Sequence, residues 1–104
     1  MIEVSIFYPN SEGGKFDLDY YLTTHMPMSI RLLGEALRGV TVGLGISGGP
    51  PGSQPTYVVI ARLLFDSPEA FYAAFMPHAE VLQGDIHNYT NVEPVIQISD
   101  VKIH

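Results

Sequence analysis

Apolar and polar residues alternate at the start of the chain. In IEVSIFY, residues 2 to 8, Ile2, Val4, Ile6 and Tyr8 point one way and Glu3, Ser5 and Phe7 the other, the period of two that marks a strand. The turn-rich PNSEGGK ends it. Over residues 17 to 37 the period changes: at about 100° per residue, Leu18, Tyr21, His25, Met28, Leu32 and Ala36 fall within about 80° of one another, the stripe of an amphipathic helix. Arg38-Gly39 closes that helix. VTVGLGI (40 to 46) reads as a glycine-weakened strand, and SGGPPGSQP as turns.

TYVVIARLLF (56 to 65) is apolar on both sides, with Tyr57, Val59, Ala61, Leu63 and Phe65 on one and Val58, Ile60 and Leu64 on the other. A strand of that kind is covered on both faces. Ser67-Pro68 then starts a second helix, the serine as N-cap and the proline at the first helical position. This helix carries Phe71, Phe75, His78 and Leu82 on one face, and PVIQISDVKI supplies a last strand. Strand, helix, strand, strand, helix, strand is the split βαβ order of an α+β, ferredoxin-like fold. Its sheet is antiparallel and both helices lie on one face. Residues 1–104 form one domain in this reading. The uncovered sheet face still holds large apolar residues, and the simplest cover is an identical sheet in a two-fold homodimer.

Composition narrows the partners. The 104 residues are 46% apolar and 15% charged, a folded composition. A domain of this size buries only about 60–70% of its unfolded surface, which again favours self-association. The formal charge of −6 repels phosphate backbones and anionic lipid, so neither nucleic acid nor a membrane surface is an expected partner. No cysteine is present, which removes disulfides, thiolate nucleophiles and cysteine metal sites. The start lacks the features of a signal peptide, and no apolar run reaches the ~20 residues of a membrane span. A cytoplasmic location is expected.

Several motifs mislead. GLGISG (43 to 48) matches G-x-G-x-x-G, but the dinucleotide fingerprint must open a helix, and here Gly49-Pro50-Pro51-Gly52 follows. Asn88-Tyr89-Thr90 fits a glycosylation sequon, read here as a turn. No histidine pair has the i, i+4 spacing of a helical zinc site, so no metal is expected. No serine stands in a nucleophile elbow.

The stretch YYLTTHMP (20 to 27) is the chemical signal. A proline inside a helix removes one hydrogen bond and clashes with the preceding turn, costing about 3 kcal/mol, so Pro27 should kink or restart the helix just after His25. FMPH places Pro77 beside His78 in the same way. An imidazole suits acid–base work near neutral pH. A bare helical histidine on an apolar face is more often a satisfied core group. Tyr21 one turn earlier, Pro27 just after and a family resemblance carried by these residues together make His25 the candidate general acid or base, with Tyr21 to orient its ring or the ligand. His78, Tyr57, Phe71, Phe75, Met28, Tyr89 and Asn88 are the candidate ligand-binding residues. Each has an ordinary structural role as its alternative: capping for His78, turn formation for Tyr89 and Asn88, core packing for the others.

Together FYPN, KFDLDYYLTTHMP, FDSPEAFYAAFMPHA and DIHNYTNVEPVIQIS resemble the EthD family, named for an ether-degradation operon, within the dimeric α+β barrel superfamily. The resemblance rests on Tyr21, His25 and Pro27 and on Asn88-Tyr89-Thr90, and it covers nearly the whole chain. His87 departs from it, standing where a proline is expected. The resemblance implies protomers pairing through their sheets and a pocket between helices and sheet in each. It also implies a role in the oxidative breakdown or tailoring of a small apolar or aromatic molecule, with no cofactor. A carrier without catalysis and a haem-binding protein using His25 or His78 are the alternatives.

Overall fold

The computed structural model describes residues 1–104. Strand β1 spans Ile2–Pro9, β2 Gly39–Leu44, β3 Tyr57–Phe65 and β4 Val95–Asp100. They form one sheet in the order β2-β3-β1-β4, and every neighbouring pair is antiparallel. With one strand between the ends of each βαβ crossover, this is the expected ferredoxin-like α+β arrangement. β1 and β3 are the two inner strands, each paired along both edges.

Register decides which residues meet the helices. Ile2, Val4, Ile6 and Tyr8 stand opposite Phe65, Leu63, Ala61 and Val59 of β3. Val4 and Ile6 stand opposite Ile98 and Ile96 of β4. Ile2, Val4, Tyr8, Val59, Leu63 and Phe65 belong to one buried cluster with Tyr21, Met26, Leu33, Phe71 and Tyr89. The opposite face carries Phe7, Val58, Ile60 and Leu64, all partly exposed, with the Arg62–Glu3 ion pair among them at 3.6 Å.

The first helical stretch is built in sections. Helix α1, Leu18–Tyr20, is capped by Asp17, whose carboxylate accepts from the Tyr20 amide. A π-helical turn covers Tyr21–His25, and helix α2 covers Met26–Leu33. The Met26 N–H donates to the Tyr21 carbonyl, five residues back. Widening the helix ahead of Pro27 accommodates the break that the proline requires. It also shifts the inward face. Ser29 and Leu33 are buried where a uniform helix would have turned in Met28 and Leu32, which are only half-buried. A final 3-10 turn, Gly34–Ala36, begins at Gly34, whose φ of 65° suits glycine.

The second stretch opens as the sequence predicts. Ser67 caps helix α3, Pro68–Phe75, accepting from the Ala70 amide at 3.1 Å, and Pro68 holds the first helical position. Pro77 lies in a 3-10 turn, Met76–His78, before helix α4, Ala79–Gly84. GLGISG opens no helix. A side chain at Gly45 would collide with the Tyr57 carbonyl and the Pro55 ring, so this glycine lets the arms of the β2–β3 connection close on each other. No helix is long and apolar enough to cross a membrane.

Candidate functional site

Between the helices and the β1–β4 side of the sheet lies a cavity of about 520 Å³, within the size range of small-molecule sites. Its walls are mainly apolar: Val4, Ile6 and Leu63 from the sheet, Phe71 and Phe75 from α3, and Leu82 and Ile86 from the segment beyond. It opens over β4, where Ile96 and Ile98 line it and remain 55% and 37% exposed. Four buried residues with hydrogen-bonding side chains reach it: Tyr8, His25, Ser29 and Tyr89.

His25 reaches this cavity because of the π turn that it ends. Its Nδ1 lies 2.9 Å from Oδ2 of Asp85. The carboxylate can only accept, so Nδ1 carries a proton, and in the neutral form of the ring the unprotonated nitrogen is Nε2. That nitrogen has no partner within the chain. Tyr21 stacks on the imidazole at 5.5 Å and 17°, and Tyr89 leans on it at 4.6 Å and 49°.

Asp85 is held in turn by the Tyr20 hydroxyl at 2.7 Å and the Asn88 amide at 2.9 Å, both donating to Oδ1. Burial raises its pKa, but hydrogen bonds from Tyr20, Asn88 and His25 outweigh that and keep it below its ordinary value of 3.8. It therefore stays ionised and fixes the imidazole. The segment carrying Asp85 and Tyr89 is tied to the start of α1. The Asp17 N–H donates to the Tyr89 carbonyl at 2.7 Å, and the Thr90 hydroxyl to the Lys15 carbonyl at 2.6 Å.

Tyr8 and Tyr89 form a second polar element. Their hydroxyls are 2.7 Å apart and buried. Burial pushes the pKa of both well above the usual phenol range.

His25, Phe71, Phe75 and Tyr89 thus come together around one cavity. Tyr21 lies behind them, fully buried, and acts on His25 through stacking. Asn88 reaches Asp85 and not the cavity. Met28 is turned away by the π turn, and Ser29 takes its place. Tyr57 sits at a register shift between Tyr8 and Pro9 and packs against Phe7 at 5.0 Å, away from the cavity. His78 ends the Pro77 turn without lining the cavity, which its neighbour Met76 does line. The sequence reading missed Asp85 and Tyr8. Asp85 resembles any loop acid in sequence, and Tyr8 looked like one more strand residue. No cluster of three or more His, Asp or Glu residues could hold a metal ion.

The EthD domain family model matches residues 15–93, which hold His25, Asp85 and Tyr89. The chain belongs to the EthD family. Among solved structures it is similar to an EthD-like protein from Ralstonia eutropha JMP134, at 43% identity and a TM-score of 0.94, over 99% of this chain and 93% of that one. An ethyl tert-butyl ether (EthD) family protein from Bacillus halodurans C-125 shares 19% identity over 97% of this chain and 98% of the other, at a TM-score of 0.74. HapK from Hahella chejuensis shares the fold at 12% identity, over 98% and 95% of the two chains, with a TM-score of 0.55. No curated protein matches the chain. His25, Asp85 and Tyr89 all fall inside the EthD region, whereas Tyr8 precedes it.

Proposed function

We propose that this EthD protein binds a small, largely apolar or aromatic molecule in the 520 Å³ cavity and acts in its oxidative breakdown or tailoring, with His25 as general base. The observation that carries this reading is the His25–Asp85 pair at 2.9 Å on the wall of an apolar cavity. A carboxylate that fixes the tautomer leaves Nε2 free to take a proton, and it stabilises the imidazolium that results. Tyr20 and Asn88 hold the carboxylate and Tyr21 supports the ring, so these three are positioning residues.

The site works without haem in this reading. Haem propionates call for cationic partners, and no lysine or arginine lines the cavity, whose one carboxylate is Glu93. The functional unit is a homodimer joined through the sheet faces that carry Phe7, Val58, Ile60 and Leu64. That pairing covers the partly exposed apolar residues the helices leave open.

Native mass spectrometry of the purified protein tests the reading, together with binding of one- and two-ring aromatic compounds by wild type and His25→Gln. Binding by wild type with turnover lost in the variant is expected. Capture and unchanged release would make the protein a carrier, a visible Soret band would make it a haem protein, and failure to bind any apolar compound would sink the proposal.

A further inference from the structure

The mechanism above uses His25 and leaves the Tyr8–Tyr89 pair without a task. Two phenol hydroxyls hold two protons between them, and one hydrogen bond at 2.7 Å uses one. The Tyr21 hydroxyl, which lies off the cavity, is a further partner of Tyr8; with Tyr21 donating to Tyr8 and Tyr8 to Tyr89, the O–H of Tyr89 remains to be given. The other buried hydroxyl on the wall, Ser29, is already spent on the His25 carbonyl at 2.9 Å. The buried polar wall therefore offers a ligand one donor, from the tyrosine pair, and one proton acceptor, Nε2 of His25. They are neighbours: the His25 and Tyr89 rings are 4.6 Å apart. Tyr21 packs against both tyrosines, at 5.8 Å from Tyr8 and 5.0 Å from Tyr89, and keeps the pair from swinging away.

A donor beside a base is the complement of a carbonyl group with an acidic neighbouring C–H. We infer that the Tyr8–Tyr89 pair holds the oxygen of an enolisable ketone while His25 takes a proton from the adjacent carbon. This rests on the proposed pocket and general base, and it names the substrate class and a role for the tyrosines. In the step the C–H bond breaks and its proton goes to Nε2. The C–H electron pair forms a C=C bond, and the carbonyl π pair moves onto the oxygen, which accepts the tyrosine O–H. The imidazolium is held by Asp85. Return of the proton to the same carbon gives exchange, and its delivery to another carbon or to the oxygen gives the tautomer. No oxidant or reductant is consumed. Burial disfavours ionisation of both tyrosines, so the donor keeps its proton across the neutral range.

Two measurements test this. The first compares binding of 2-naphthol, which mimics the enolate, with binding of naphthalene, which has the same rings and no oxygen. Wild type should bind 2-naphthol roughly 3- to 10-fold more tightly, the size of one hydrogen bond, and Tyr8→Phe and Tyr89→Phe should erase the difference. The second follows deuterium uptake by 2-tetralone in D2O by NMR. Exchange should exceed the buffer rate by about 100-fold or more, return to that rate in His25→Gln, and fall about 10-fold or more in each tyrosine variant. Naphthalene binding with no preference for 2-naphthol in wild type overturns the inference and leaves the apolar pocket standing. That outcome does not depend on any variant folding. A preference for 2-naphthol without exchange overturns the proton transfer, and failure to bind either compound overturns the pocket reading as well.

Discussion

At the scale of single residues, His25 serves the site and the fold together. It is 8% exposed, stacked on Tyr21 and bonded to Asp85. His25→Ala should therefore cost about 1–3 kcal/mol of stability, since it leaves a small cavity and removes one of the three donors to Asp85. His25→Gln should melt closer to wild type and lose turnover, and melting curves with activity for both variants check this. Asp85 makes a pH prediction. Its folded pKa lies below the ordinary 3.8, so its contribution to stability is complete above that value and is lost as the pH falls through the lower folded value. Asp85→Asn should be less stable than wild type at neutral pH, and the gap should narrow as the pH drops below 3.8. Melting temperatures of the two proteins that ran parallel down to pH 2 would count against the role given to this carboxylate.

At the scale of elements, the π turn is the feature that regular periodicity cannot show. Deleting Thr24, which is exposed, should force Tyr21–His25 into an ordinary turn at a cost of about 3 kcal/mol, because the regular turn brings the Pro27 ring against the preceding carbonyl. The imidazole would be displaced from Asp85, and ligand binding should fall while the circular dichroism spectrum stays the same. The β2–β3 connection makes a contrasting prediction. Gly45→Ala drives a methyl group into the Tyr57 carbonyl and should cost about 1–3 kcal/mol. Millimolar ATP, NAD or FAD should leave the melting temperature unchanged, because this glycine serves packing. A reproducible upward shift would reopen the phosphate-loop reading of GLGISG.

At the scale of the whole molecule, the extents of 40 × 33 × 19 Å are those of one helix layer on one sheet. The sheet face away from the helices carries Phe7, Val58, Ile60 and Leu64, all partly exposed. Light scattering at micromolar concentration should give twice the 11.4 kDa chain mass, and dissociation should coincide with unfolding, since a separated sheet face is a large apolar patch. A stable folded monomer would refute the pairing. Ile60→Lys, which places a charge in the middle of that face, should dissociate the dimer and lower the melting temperature.

The sequence alone determined the order of elements, the two-sided β3, the Ser67 cap and the break at Pro27. Each depends on neighbours within a few positions, where steric and hydrogen-bonding rules act through the backbone. It also pointed to His25 and Tyr21, which a single helical turn brings together. The tertiary structure decided the rest. The amount by which Pro27 widens the helix, and so the choice of Ser29 over Met28, depends on what the helix packs against. A register shift at Tyr8/Pro9 took Tyr57 out of the site. Asp85 is 60 residues from His25 and Tyr89 is 81 residues from Tyr8. No local pattern reports contacts at that range, because only the closed sheet and the ties from Lys15 and Asp17 to the Tyr89–Thr90 segment bring those side chains within bonding distance.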